Sequence, residues 1–246
     1  MANSFFQSNN PILGEETFQK AAREAGHDQS VMTVNGAVNK SLILGVILMV
    51  TASISWTMPS PIFLWGGLIG GLICVLVSSF RPQYSAITAP LYAVFEGLCL
   101  GALSAFYAGL FNGIVFQALT LTIGLLFLML FLYKAGVIKV TEKLRSGIMM
   151  ATGAIALVYI VSMVLRMFGV NMPFLHQGGM IGIGISLVII GVASMNLLLD
   201  FDNFEKGAQY GAPKYMEWYS AMGLIVTLVW LYLEMLRLLS KVASRD

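Results

Sequence analysis

Seven apolar runs decide what this chain can become. They lie at about 41–58, 62–80, 87–108, 112–133, 147–168, 179–201 and 216–239. Each approaches the roughly 20 residues that a helix needs to cross a bilayer core. Only 11% of the 246 residues are charged and 58% are hydrophobic, whereas a soluble domain carries about 25% charged residues. The alternating segments of a transmembrane β-barrel do not occur. The pattern predicts an all-α polytopic membrane protein with seven transmembrane helices. A polar segment, 1–40, precedes a membrane domain, 41–246. Within that segment a short helix is expected over Glu15–Ala25, with acids at its start, Lys20 and Arg23 near its end and Gly26 as its stop. The opening MANSFFQSNN has no basic n-region, so no secretory signal peptide is expected.

Several chemistries can be set aside. His27 and His176 are the only histidines, which leaves no zinc motif. The run DFDNFEKGAQYG begins like a calcium loop, but Glu205 stands at its sixth position and Gly211 at its twelfth, so it is not an EF-hand. No G-x-S-x-G elbow is present. No lysine lies within a span, which argues against a retinal Schiff base. Cys74 and Cys99 fall in apolar runs and read as packing residues. The net charge of +2 gives no reason to expect nucleic acid as a partner. Neither enzymatic activity nor a cofactor is expected.

Lysine and arginine counts predict the orientation. With the N-terminus in the cytoplasm, Lys20, Arg23, Lys40, Arg81, Lys134, Lys139, Lys143, Arg145, Lys206 and Lys214 are inside. Arg166, Arg237, Lys241 and Arg245 are outside, ten against four. Three of those four follow the last span, so either that tail is outside despite its charge or the segment does not fully cross. Glycines recur at the spacing that lets helix backbones approach in lipid. They form the pairs Gly66/Gly70 and Gly67/Gly71, the series Gly97, Gly101, Ala105 and Gly109, and the series Gly178, Gly182 and Ser186.

Charges within the spans are the functional candidates, because an ionisable group at membrane depth is costly. Glu96 lies midway along span three. Asp200 ends span six, with Asp202 just after it. Glu234 lies in span seven. Ser220, Thr227, Glu234 and Lys241 recur every seven residues and so share one helical stripe. Arg81 closes span two; it can snorkel, or face the acid at the inner end of span six. Arg166 is expected to snorkel to the interface. Glu234 has two readings: a local pair with Arg237, or one half of a proton-linked pair with Asp200. Two close carboxylates in low dielectric cannot both ionise cheaply, and they titrate together. Asp202 and Glu205 are expected in a solvated loop. Glu96 is either a second functional site or a carboxyl bonded to a neighbouring helix.

At these residues the chain resembles the Bax inhibitor-1/YccA family, in its bacterial branch. The resemblance rests on SNNPILGEETFQKA with MTVNGAVNKSLIL, on SSFRPQYSAITAPLYAVFEGLCLGALS, on LLLDFDNFEKG and on LVWLYLEMLRLL. It implies a seventh helix wrapped by the other six, in a protein of the bacterial inner membrane. It implies a pH-sensitive calcium leak gated by a carboxylate pair, Asp200 and Glu234, near Arg81, with Glu96 and Asp202 as further candidates for the ion pathway. The span-seven acid here is Glu where the family usually has Asp. Three readings follow: a cation leak with calcium as cargo, a non-conducting regulator that binds a membrane protease or other membrane partner, and a proton-coupled transporter. Repeated halves would favour the transporter, and none is evident.

Overall fold

The computed structural model describes Gln19, residues 30–169 and residues 179–244. Its helices are α1 (Val34–Thr57), α2 (Pro61–Phe80), α3 (Ser85–Leu110), α4 (Ile114–Lys134), α5 (Glu142–Met167), α6 (Met180–Gln209) and α7 (Met216–Ala243), with a 3-10 turn, Pro82–Tyr84, leading into α3. All seven are long and apolar enough to span a membrane, and no strand is formed among the described residues beyond an isolated bridge. The chain is an all-helical polytopic membrane protein. Except for Gln19, the expected helix Glu15–Ala25 lies outside the described residues, as do His27, His176, Gly178 and Arg245.

Local chemistry starts several helices. The Thr33 hydroxyl accepts from the Gly36 N–H at the head of α1, and Ser60 caps α2 with Pro61 just behind it. Thr141 accepts from the Leu144 N–H at the head of α5. The helices run past the apolar stretches that mark them. The 30 residues of α6 and 28 of α7 are about 45 Å and 42 Å long at 1.5 Å per residue, against a hydrocarbon core of about 30 Å. This corrects two expectations. Asp200 does not end span six but has nine further helical residues after it, and Asp202 and Glu205 are helical rather than in a loop. Asp202 is buried and pairs with Lys206 one turn on, at 3.2 Å. Good helix formers such as Glu205 and Lys206 let the helix continue where hydrophobicity stops.

Half of the apolar window of α3, α6 and α7 is buried, against 11–22% for the other four helices. The chain divides into two compact units, Met1–Ala105 with Asp200–Ile225, and Phe106–Leu199 with Val226–Asp246. In the first, glycines set the helix contacts. Gly97 and Gly101 lie against α1, at Thr51 with the Leu48 carbonyl and at the Ala52 backbone respectively; neither leaves room for a Cβ. Ser55 and Thr51 donate to the Leu98 and Ala93 carbonyls of α3, at 2.7 and 3.4 Å. Gly67 and Gly70 receive Phe95 and Cys99 of α3 on α2. Beyond α6, Gly211 adopts a φ of 64° that other residues rarely take. The chain then returns so that Ala212 accepts from the Met32 N–H and Lys214 donates to Ser30, at 2.7 and 3.0 Å. This strap ties the entry to α1 to the entry to α7. In the second unit, Asn196 of α6 donates to Thr152 of α5 at 2.8 Å.

Gly97→Leu and Gly101→Leu should each lower the thermal midpoint in detergent, with an overpacking cost of about 1–3 kcal/mol. Gly66→Leu, where a Cβ meets open space, should leave it unchanged. Equal midpoints for all three variants would show that the α1–α3 contact is not close.

Candidate functional site: the polar seam of the seventh helix

One stripe of α7 carries Ser220, Thr227, Glu234 and Lys241, and all four are buried. A polar stripe turned inward satisfies the bilayer, which offers no partner for such groups. Its charged members are partnered from other helices or from α7 itself.

Glu234, 1% exposed, accepts at Oε1 from the Tyr159 hydroxyl of α5 and from Arg237 Nη1, both at 2.7 Å. Arg237 Nη1 also donates to the Tyr159 oxygen at 2.5 Å, which closes a triangle. The guanidinium carbon lies 5.1 Å from the Tyr159 ring centroid. The local pair with Arg237 is therefore formed, with a tyrosine added that sequence alone did not reveal. Glu234 Oε2 is buried and has no hydrogen-bond partner among the described residues. Two turns further on, Lys241 Nζ donates to the Gly182 carbonyl and to Ser186 Oγ of α6, at 3.0 and 2.9 Å. Two residues of the Gly178/Gly182/Ser186 series thus receive a lysine.

At the other end of α7 stands a group that the sequence reading passed over. Glu217 is 1% exposed. It accepts from the Thr33 N–H and hydroxyl at 3.0 and 3.1 Å and from Lys40 Nζ at 2.6 Å. Gly36 lies against its carboxylate so closely that no Cβ fits. The anion sits at the positive end of α1, and Lys40 also lies 5.5 Å from the Trp218 ring. Glu217 looks in sequence like an ordinary first-turn acid. The signal lay in its partners, since Thr33, Gly36 and Lys40 share one face of α1 by their three- and four-residue spacing.

The remaining candidates are dispersed. Asp200 is buried on α6, its Oδ1 3.6 Å from where a Cβ on Gly223 of α7 would lie. From Gly223 to Glu234 is eleven residues of one helix, about 16 Å. Glu96 is half-buried, with Oε2 against Gly71 and near Tyr92. Arg81 ends α2, its N–H bonded to the Val77 carbonyl at 2.8 Å, and its side chain is exposed. Arg166 is exposed in the last turn of α5, where it can snorkel. Among the described residues no three His, Cys, Asp or Glu side chains cluster as a metal site would require.

A family model described as Bax inhibitor 1 like matches residues 10–244, nearly the whole chain. The chain belongs to the Bax inhibitor 1-like family. No curated protein and no solved structure matches it. In this Bax inhibitor 1-like protein the seventh-span acid of the LYLE run, Glu234, is the floor of the Tyr159–Arg237 triangle.

Removing one partner of a buried ion pair costs about 3–5 kcal/mol, because the other charge is stranded. Lys40→Ala should therefore destabilise the protein strongly, and the double variant Lys40→Ala/Glu217→Gln less than the sum of its parts. Additive losses in chemical or thermal unfolding would show that the two groups do not interact.

Proposed function

We propose that this Bax inhibitor 1-like protein is a pH-sensitive cation leak with calcium as its cargo, and that Asp200 and Glu234 are its proton-responsive groups. The observation that supports this best is Glu234 itself: a carboxylate buried at membrane depth, with one oxygen held by Tyr159 and Arg237 and the other without a partner among the described residues. A hard oxygen with free lone pairs is what calcium takes as a ligand. A proton on either acid neutralises it where it stands; losing it leaves a carboxylate whose oxygens can ligate a cation. Arg81 enters as a basic group that favours the ionised forms. Glu96 and Asp202 are further oxygen donors for the pathway.

We also place the N-terminus in the cytoplasm, in a bacterial inner membrane. Two of the four cations that an inside N-terminus leaves outside, Arg237 and Lys241, are bound to protein groups. They are therefore not free loop charges of the kind that the orientation rule counts. This removes most of the conflict posed by the basic tail.

Purified protein in liposomes should conduct calcium, with more flux as the pH rises. Glu234→Gln and Asp200→Asn should flatten that dependence, and Arg81→Gln should shift it. No flux from folded wild-type protein would overturn the leak and favour a non-conducting regulator that binds a membrane protease or another membrane protein. In intact cells an impermeant thiol reagent should label Asn112→Cys and miss Val137→Cys; both side chains are exposed. The reverse pattern would invert the topology.

A further inference from the structure

A groove of about 490 Å³ runs between α5 and α6, lined by Ile155, Val158 and Tyr159 on one side and Gly184, Ile185 and Val188 on the other. That volume lies within the roughly 300–1,000 Å³ of small-molecule sites. Among the described residues the Tyr159 hydroxyl is the only polar side-chain group on its walls, and it is turned to Glu234 and Arg237. Gly184 widens the groove, since a Cβ there would meet open space. Ile155, Tyr159 and Arg166 fall on one face of α5, with Arg166 seven residues beyond Tyr159, about 10 Å along the helix. Arg166 is exposed in the last turn. The groove is therefore apolar along its length, and Arg166 follows two turns on along the same face of α5, toward the end where α5 stops and α6 starts.

We infer that this groove is a binding site for an anionic phospholipid, with an acyl chain between α5 and α6 and the phosphate at Arg166. Three features of the site select that occupant. Its walls match an acyl chain and offer nothing to a polar ligand. It lies within two membrane-spanning helices, where lipid is the surrounding solvent. Among the described residues the exposed charge that follows on the same face of α5 is Arg166, the fork-shaped cation best suited to a phosphate. The chain would rest on the tyrosine that holds Glu234, so occupancy would stiffen the triangle. The inference does not depend on whether the protein conducts ions.

The test uses the full-length protein in nanodiscs containing phosphatidylglycerol or phosphatidylcholine, each with a photoactivatable group on the acyl chain, and maps the labelled peptides. Labelling should concentrate on residues 154–159 and 184–188 and be several-fold stronger with the anionic lipid. Gly184→Leu should cut labelling of these segments several-fold without lowering the thermal midpoint. Ala154→Phe, at another exposed lining position, is the second groove-filling variant, used should Gly184→Leu fail to fold. Arg166→Gln should remove the preference for the anionic lipid and leave the labelled positions unchanged. Equal labelling by the two lipids in wild type, or wild-type labelling in a folded groove-filling variant, overturns the inference.

Discussion

The structure depends on the high cost of an ionisable side chain held away from water. Helix α7 carries three such groups at three heights, Glu217, Glu234 and Lys241, and each is answered from a different helix. Glu217 is held by the head of α1, Glu234 by Tyr159 of α5, and Lys241 by the Gly182 carbonyl and Ser186 of α6. A charge that cannot be solvated selects the one arrangement in which its partners surround it. A purely apolar α7 would pack against the same helices with far less to fix its rotation or depth. In lipid, apolar contact between helices gains nothing over apolar contact with acyl chains. Polar fasteners and close backbone approach carry the specificity instead.

Backbone approach is the glycines' contribution. Gly97 and Gly101 bring α1 onto α3, and Gly67 and Gly70 bring α2 onto it. Close approach also lets hydroxyls reach across, as Ser55 does to the Leu98 carbonyl. Gly36 belongs to the same logic with a different partner, for it makes room for a carboxylate rather than a helix. The strap between residues 30–33 and 212–214 then holds the heads of α1 and α7 close enough for Glu217 to cap one from the other.

The seven spans were legible because crossing a bilayer demands about 20 apolar residues, and nothing else in the chain mimics such a run. The seam of α7 was legible for a similar reason, since a seven-residue recurrence of Ser220, Thr227, Glu234 and Lys241 survives any error in the helix ends. The ends themselves were not legible. Hydropathy falls where a helix leaves the membrane, whereas the helix stops only where capping or glycine ends it, as beyond Gln209. That difference moved Asp202 from an expected loop into a buried turn. Glu217 was missed because its partners are more than 170 residues away in sequence, and Tyr159 because a tyrosine in an apolar run looks like any other packing aromatic. Arg237 was legible, since its partner is three residues away.

These contacts make α7 the element through which a change at one carboxylate would reach several helices. A proton gained at Glu234 alters its bonds to α5 directly, and the seam places Thr227 two turns below it and Lys241 two turns above. The central claim is that this stripe faces protein rather than lipid. Oxygen accessibility of a spin label tests it most directly, with the label placed at Thr227 and, for comparison, at Ile69, which is 54% exposed on α2. The account predicts low relaxation enhancement by lipid-dissolved oxygen at 227 and high enhancement at 69. Equal enhancement at the two positions, in protein that retains its wild-type thermal midpoint, would contradict it.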